Sequence, residues 1–127
     1  MKIGGQLLAV GIGGILGAMG RYTVSLLFTS STDFPFATLT VNLIGCFFLS
    51  YLLNNEQIKS RLKPEAFIAL STGLIGSFTT FSTFAVETIE LMTRNFFLAA
   101  FYVVISVIGG LGLCYLGFKV AYRRLQK

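Results

Sequence analysis

The densest chemistry in the chain is a run of glycine, serine and threonine embedded in apolar sequence: Ser71-Thr72-Gly73-Leu74-Ile75-Gly76-Ser77-Phe78-Thr79-Thr80-Phe81-Ser82-Thr83-Phe84. Serine and threonine hydroxyls can bond backbone carbonyls and bend a helix, and glycine lowers helix stability. Two readings fit the run. It is a continuous helix packing through small residues, or a helix broken at mid-length. Inside a membrane, broken backbone persists only where protein or a water-filled path satisfies it. Carbonyls freed by such a break can coordinate a cation. Phe81 and Phe84 are one turn apart and share a face. Phenylalanine on a lipid-facing helix is ordinary. Beside Ser82, Thr83 and a midspan break, electropositive ring edges could instead line a route for a small anion.

Three further features need a reason. Arg21 lies in the second half of an apolar helix, where an arginine either faces a cavity or partner or snorkels to the helix end. In a cavity it would attract anions and repel cations. Asn42 sits in the middle third of another apolar segment, where its amide either joins two helices or lines a polar path. Tyr102 and Ser106 are four residues apart on one helix face, so their hydroxyls either extend a polar track or bond a neighbouring helix. Glu87 and Glu90 read as interfacial residues near the end of their helix.

Composition removes most other chemistry. The chain has no histidine and no tryptophan, which excludes histidine-based acid–base catalysis, the common nucleophile–histidine arrangements and any His-ligated metal. Cys46 and Cys114 each lie within an apolar run and read as small apolar residues, not as a disulfide. No nucleophile–base pair can be assembled, so an enzyme is not expected. Nothing resembles a nucleotide-binding motif.

The elements that must position these residues are written in the gaps between charges. Of 127 residues, 54% are hydrophobic and only 12% charged, about half the charged share of ordinary soluble domains. Residues 3–20, 34–55, 66–86 and 95–118 carry no Asp, Glu, Lys or Arg, giving gaps of 18, 22, 21 and 24 residues. A hydrocarbon core needs about 20 helical residues to cross. The expected fold is therefore an all-α integral membrane domain over residues 1–127, with spans at about 3–28, 36–53, 66–92 and 96–117. A polar turn at Thr29–Pro35, a loop at Asn54–Glu65 and a tight turn at Thr93–Asn95 join them. Short connections predict that sequential helices are antiparallel neighbours. Gly13 and Gly17 stand in a small-xxx-small spacing that lets helix backbones approach closely. No A-x-A-like site follows the first apolar run, which reads as a span and not as a signal peptide.

Net charge is +5, but the basic residues flank spans, so they point to membrane lipid and not to nucleic acid. Lys2, Lys59, Arg61, Lys63, Lys119, Arg123, Arg124 and Lys127 fall on one side, and Arg94 is the one clearly opposite. Both termini are predicted to face the cytoplasm in a multi-pass protein of the cell membrane.

Three motifs in order give the chain a family likeness. Gly13-Gly14-Ile15-Leu16-Gly17-Ala18-Met19-Gly20-Arg21-Tyr22 resembles the first-helix signature of the Fluc (CrcB-like) fluoride channels. Thr38-Leu39-Thr40-Val41-Asn42-Leu43-Ile44-Gly45 looks like their second-helix motif, and Gly76–Phe84 looks like their third-helix break. The resemblance covers the whole chain. It implies an antiparallel, dual-topology dimer with two fluoride pores. Phe81 and Phe84 would be the pore phenylalanines, with Ser82 and Thr83 beside them. Asn42 would be the pore amide and Arg21 the vestibule arginine, and Tyr102 and Ser106 would belong to a polar track. A structural sodium ion (Na+) at the dyad would be held by the backbone carbonyls of Gly76 and Thr79 from each subunit.

The implied activity is passive fluoride export that limits its cytoplasmic level. Fluoride holds its water strongly, so a pore must replace that water with hydroxyl, amide and ring-edge donors while still releasing the ion. The sequence departs from the family picture in two places. Gly110 stands four residues after Ser106 where some members place another hydroxyl. The basic bias is eight to one, although a chain inserting both ways should carry little bias. The second subunit is therefore either an identical copy or a paralogue of opposite bias, and the size of the bias favours the paralogue. Competing functions are a small multidrug-type exporter, which needs a membrane-embedded acid, and a non-transporting membrane assembly subunit.

Overall fold

The computed structural model describes residues 3–28 and 33–123. Most of the expected Thr29–Pro35 turn, and Lys2, Arg124 and Lys127 of the charge bias, lie outside the described residues. All regular structure among the described residues is helical: α1 (Ile3–Leu27), α2 (Phe36–Asn54), α3 (Glu56–Arg61), α4 (Pro64–Ile68), a π-helical segment (Ala69–Ile75), α5 (Gly76–Phe78), α6 (Phe81–Arg94) and α7 (Phe96–Arg123). Four stretches are long and apolar enough to cross a membrane: Ile3–Leu27, Phe36–Asn54, Pro64–Arg94 and Phe96–Arg123. Large apolar side chains such as Ile3, Leu7, Phe97 and Leu111 lie exposed along them, as lipid-facing helices require.

Two boundaries differ from the sequence reading. The 54–65 connection is not all loop, because α3 forms within it. The buried Asn55 caps α3, its Oδ1 accepting from the Ile58 N–H at 3.1 Å, which supplies one of the bonds a helix start lacks. The last helix does not fray at residue 117 but continues to Arg123. Ala121 is fully buried there, so packing carries the helix past Lys119.

Sequential helices are neighbours, as expected, but they are not the most extensive pairs. The span α1 packs chiefly along the third span, and α2 chiefly along α7; the sequential pairs pack less extensively. Glycine explains the choice. A Cβ on Gly13 would overlap the Ala69 carbonyl, and one on Gly17 the Leu74 carbonyl, while a Cβ on Gly73 would stand 2.6 Å from the Val10 carbonyl. Backbone lies on backbone here, the close approach that drives helix pairing in lipid. Because higher numbers on α1 meet higher numbers on the third span, the two run parallel. The same order holds between α2 and α7, where Gly109 approaches Leu43 and Gly117 approaches Phe47.

Candidate functional site

The third span is assembled from pieces. Its π-helical segment contains Ser71, whose hydroxyl donates back to the Phe67 carbonyl at 2.8 Å, a bond that competes with the helical ladder. After Phe78 the backbone of Thr79 (φ −84°, ψ 160°) and Thr80 (φ −150°, ψ 124°) is extended. Helix α6 then restarts at Phe81 with Thr80 as its cap: the Thr80 Oγ1 accepts from the Thr83 N–H at 3.2 Å and donates to the Thr83 Oγ1 at 2.9 Å.

Asn42 meets this segment from α2. Its Oδ1 accepts from the Thr80 N–H at 2.8 Å, and its Nδ2 donates to the Thr80 carbonyl at 2.9 Å. The amide thus joins two helices, and one of its two N–H groups is left for another acceptor. These bonds redirect the donors that a continuous helix would give to Gly76 and Thr79. The Thr80 N–H, the helical partner of the Gly76 carbonyl, goes to Asn42. The Thr83 N–H, the helical partner of the Thr79 carbonyl, goes to the Thr80 hydroxyl.

Thr80 is a wall between two cavities. One, of about 330 Å³, is lined by Arg21, Tyr22, Ser25, Thr38, Thr83 and Glu87 together with Thr80 and small apolar residues. The other, of about 280 Å³, is lined by Asn42, Cys46, Ser71, Gly76, Thr79, Phe81 and Cys114 along with Thr80. Arg21 and Thr83 therefore fall in the first cavity, and Asn42, Gly76, Thr79 and Phe81 in the second. The rings of Phe81 and Phe84 are 5.9 Å apart at 45°. Phe81 is 80% exposed, whereas Phe84 packs into the core cluster and lies 5.1 Å from the Tyr102 ring. Ser82 is exposed, its Oγ 3.4 Å from the Thr80 Oγ1.

Sequence reasoning missed Glu87. The sequence reading assigns it no partners within the bundle. Its Oε1 accepts from the Thr38 hydroxyl and its Oε2 from the Tyr102 hydroxyl, each at 2.8 Å. Tyr102 is fully buried and Thr38 nearly so, and the carboxylate gives both hydroxyls an acceptor. The first cavity thus carries both a guanidinium and a carboxylate. The signal was available: Thr80, Thr83 and Glu87 follow one another at three and four residues, on one helix face. One turn beyond Tyr102 the arrangement changes. The Ser106 Oγ is buried with no hydrogen-bond partner, a state that costs about 1–3 kcal/mol unless a ligand or water supplies a partner.

The cysteines are not joined by a disulfide, in agreement with the sequence reading. Both are half-buried and free, and they meet between α2 and α7, the Cys114 Sγ donating to the Cys46 carbonyl at 3.5 Å.

Comparison with known proteins gives a consistent result. Residues 8–118 match the profile of a family described as CrcB-like protein, Camphor Resistance (CrcB). Among similar curated proteins, the fluoride-specific ion channel FluC 1 of Desulfitobacterium hafniense is 47% identical over 114 residues, covering 89% of this chain and 99% of that one. The fluoride-specific ion channel FluC of Oceanobacillus iheyensis is 44% identical over 117 residues, covering 91% of each chain. The fluoride-specific ion channel FluC 2 of Listeria innocua is 44% identical over 121 residues, covering 94% of this chain and 93% of that one.

Proposed function

Because the chain belongs to the CrcB-like family, we propose that it is a fluoride-selective ion channel through which fluoride leaves the cell passively, down its gradient. It is a multi-pass membrane protein and a channel, not an enzyme. The observation that carries the pore assignment is Ser106, a buried hydroxyl whose donor has no partner in its own chain. A small anion passing there would accept the bond that the protein withholds.

The remaining donors fit the same reading. Arg21 stands at a polar cavity, where its charge draws anions in and partly offsets Glu87. Asn42 keeps one N–H free beside Phe81. The Phe81 and Phe84 ring edges add weak positive potential without a fixed charge, which suits a site that must release the ion it strips of water. Ser82 and Thr83 lie alongside. Tyr102 donates its only proton to Glu87, so it positions that carboxylate while Ser106 keeps the open donor of the track. Gly110, next along this face, supplies no hydroxyl, and the Cys46 sulfur lies over it.

Assembly is part of the proposal. Two chains of opposite orientation form an antiparallel dimer, with a sodium ion (Na+) between them held by the backbone carbonyls of Gly76 and Thr79 from each subunit. The support is that the helical donors of these two carbonyls are engaged elsewhere, and oxygen ligands suit a hard cation. Gly76 is exposed, and a Cβ there would meet nothing within 4 Å of its own chain, so packing within the subunit does not account for its small size. Bound sodium would supply positive charge that joins the two breaks. The eight-to-one basic bias favours a paralogue of opposite bias as the partner.

Glu87 lends one observation to a second reading, since a small multidrug-type exporter needs an acid within the membrane. Both of its oxygens are engaged by hydroxyls, and Arg21 shares its cavity, which opposes binding of a cationic drug. A non-transporting assembly subunit would not need the uncommitted Ser106 donor. The deciding experiment is efflux from liposomes holding purified protein, read with a fluoride electrode. Fluoride efflux with little chloride leak is expected. Chloride flux equal to fluoride flux, or no flux from either this chain alone or its paralogue pair, would overturn the proposal.

A further inference from the structure

The two cysteines are 68 positions apart in sequence, yet the Cys114 Sγ donates to the Cys46 carbonyl at 3.5 Å. A Cβ on Gly110 would stand 3.4 Å from the Cys46 Sγ, so that sulfur lies over bare backbone one turn before Cys114. Cys114 itself continues the four-residue series Tyr102, Ser106, Gly110 on one face of α7. Both cysteines line the cavity of about 280 Å³ that Asn42 and Phe81 also line.

We propose that Cys46 and Cys114 form a two-thiol site for a soft, divalent, two-coordinate cation of the mercuric type. Among the described residues no third His, Cys, Asp or Glu joins them, so the set is too small for zinc, which takes four ligands. Thiolate sulfur selects soft metals. Two thiolates on a divalent cation make a neutral unit, the charge state a largely apolar cavity tolerates. On binding, two S–H bonds break, two metal–sulfur bonds form and two protons leave to water, with no change of oxidation state. An ion held there shares a cavity with Asn42 and Phe81 and blocks conduction. That last consequence rests on the channel reading, whereas the site does not.

The test loads purified full-length protein with one equivalent of mercuric chloride, challenges it with excess glutathione, and reads intact mass. The wild type should keep one mercury per chain with the loss of two protons, while Cys46→Ser and Cys114→Ser each surrender theirs to the monothiol. A wild type that yields its mercury as readily as the single variants, or that binds two, overturns the site. In liposomes that hold this chain together with its paralogue, mercury should reduce fluoride efflux to the leak of empty vesicles, spare pairs built with either variant, and be reversed by a dithiol. Unchanged efflux from mercury-loaded wild type overturns the block and leaves the site standing. Absence of efflux both from this chain and from its paralogue pair before mercury is added counts against the channel reading alone, and the mass result still decides the site.

Discussion

Asn42 holds Thr80 by both of its main-chain polar groups, accepting from the N–H at 2.8 Å and donating to the carbonyl at 2.9 Å. Replacement by alanine removes two hydrogen bonds, each worth about 0.6–1.5 kcal/mol, and strands both groups of a buried residue. Asn42→Ala is expected to lower fluoride flux by about tenfold or more and to lower the melting temperature in detergent. Asn42→Asp keeps the acceptor for the Thr80 N–H and should recover part of the stability but not the flux. Normal flux in both variants would return Asn42 to a purely structural role.

Glu87 gives acceptors to two hydroxyls from different helices. A glutamine there offers one oxygen and an amine that cannot accept, so Thr38 or Tyr102 loses its partner. Glu87→Gln is expected to assemble normally and to conduct several-fold more slowly, on the order of 1 kcal/mol per displaced bond. If its flux equals that of the wild type, the carboxylate does not position the track.

Phe81 and Phe84 separate structure from conduction. Phe81 is exposed on its own chain, while Phe84 belongs to the core cluster with Leu39, Leu91, Ala99 and Tyr102. Phe81→Ile should reduce flux sharply with little change in thermal stability, and Phe84→Ile should reduce both. Detergent melting curves measured beside liposome flux check the contrast. Equal stability losses would contradict the different burial of the two rings.

The sodium proposal concerns main-chain atoms. Thr79→Ser keeps the carbonyl and should behave as wild type, with dimer stability and flux that fall in parallel when sodium is replaced by a large organic cation. Gly76→Ala adds a methyl that its own chain accommodates; if it leaves the dimer and its sodium dependence unchanged, Gly76 does not face the ion. Complete indifference of the wild type to sodium would remove the site.

Orientation is measurable directly. A topology reporter fused to the C-terminus and expressed without any paralogue is expected to show one orientation, cytoplasmic, with no fluoride flux from this chain alone. Mixed orientation with full flux would establish the homodimer.

The spans were legible because a membrane interior writes itself into sequence as missing charge, so gaps between Lys, Arg, Asp and Glu marked all four, although three of the helices run five or more residues past their gap. Their pairing was not. The spacing of Gly13 and Gly17 announces a close approach but does not say to which helix, and short loops say which helices adjoin but not which pack most extensively. The site was legible as residue types, since Arg21, Asn42 and the Ser71–Phe84 run are expensive in lipid and demand a reason. Glu87 escaped because its partners lie 49 and 15 positions away, and only a fold brings them together. Cys46 and Cys114 escaped for the same reason.

The pairing of α1 with the third span and of α2 with α7 has a consequence for synthesis. The first two spans leave the ribosome before either of their main partners has been made, so each must rest in lipid as a lone helix until the second half of the chain arrives. A helix that waits in this way cannot carry an uncovered polar stripe. This accounts for the gathering of hydroxyls into Pro64–Arg94, which holds nine serines and threonines against five in Ile3–Leu27 and Phe36–Asn54 together, and which is inserted when α1 and α2 are already present to receive it.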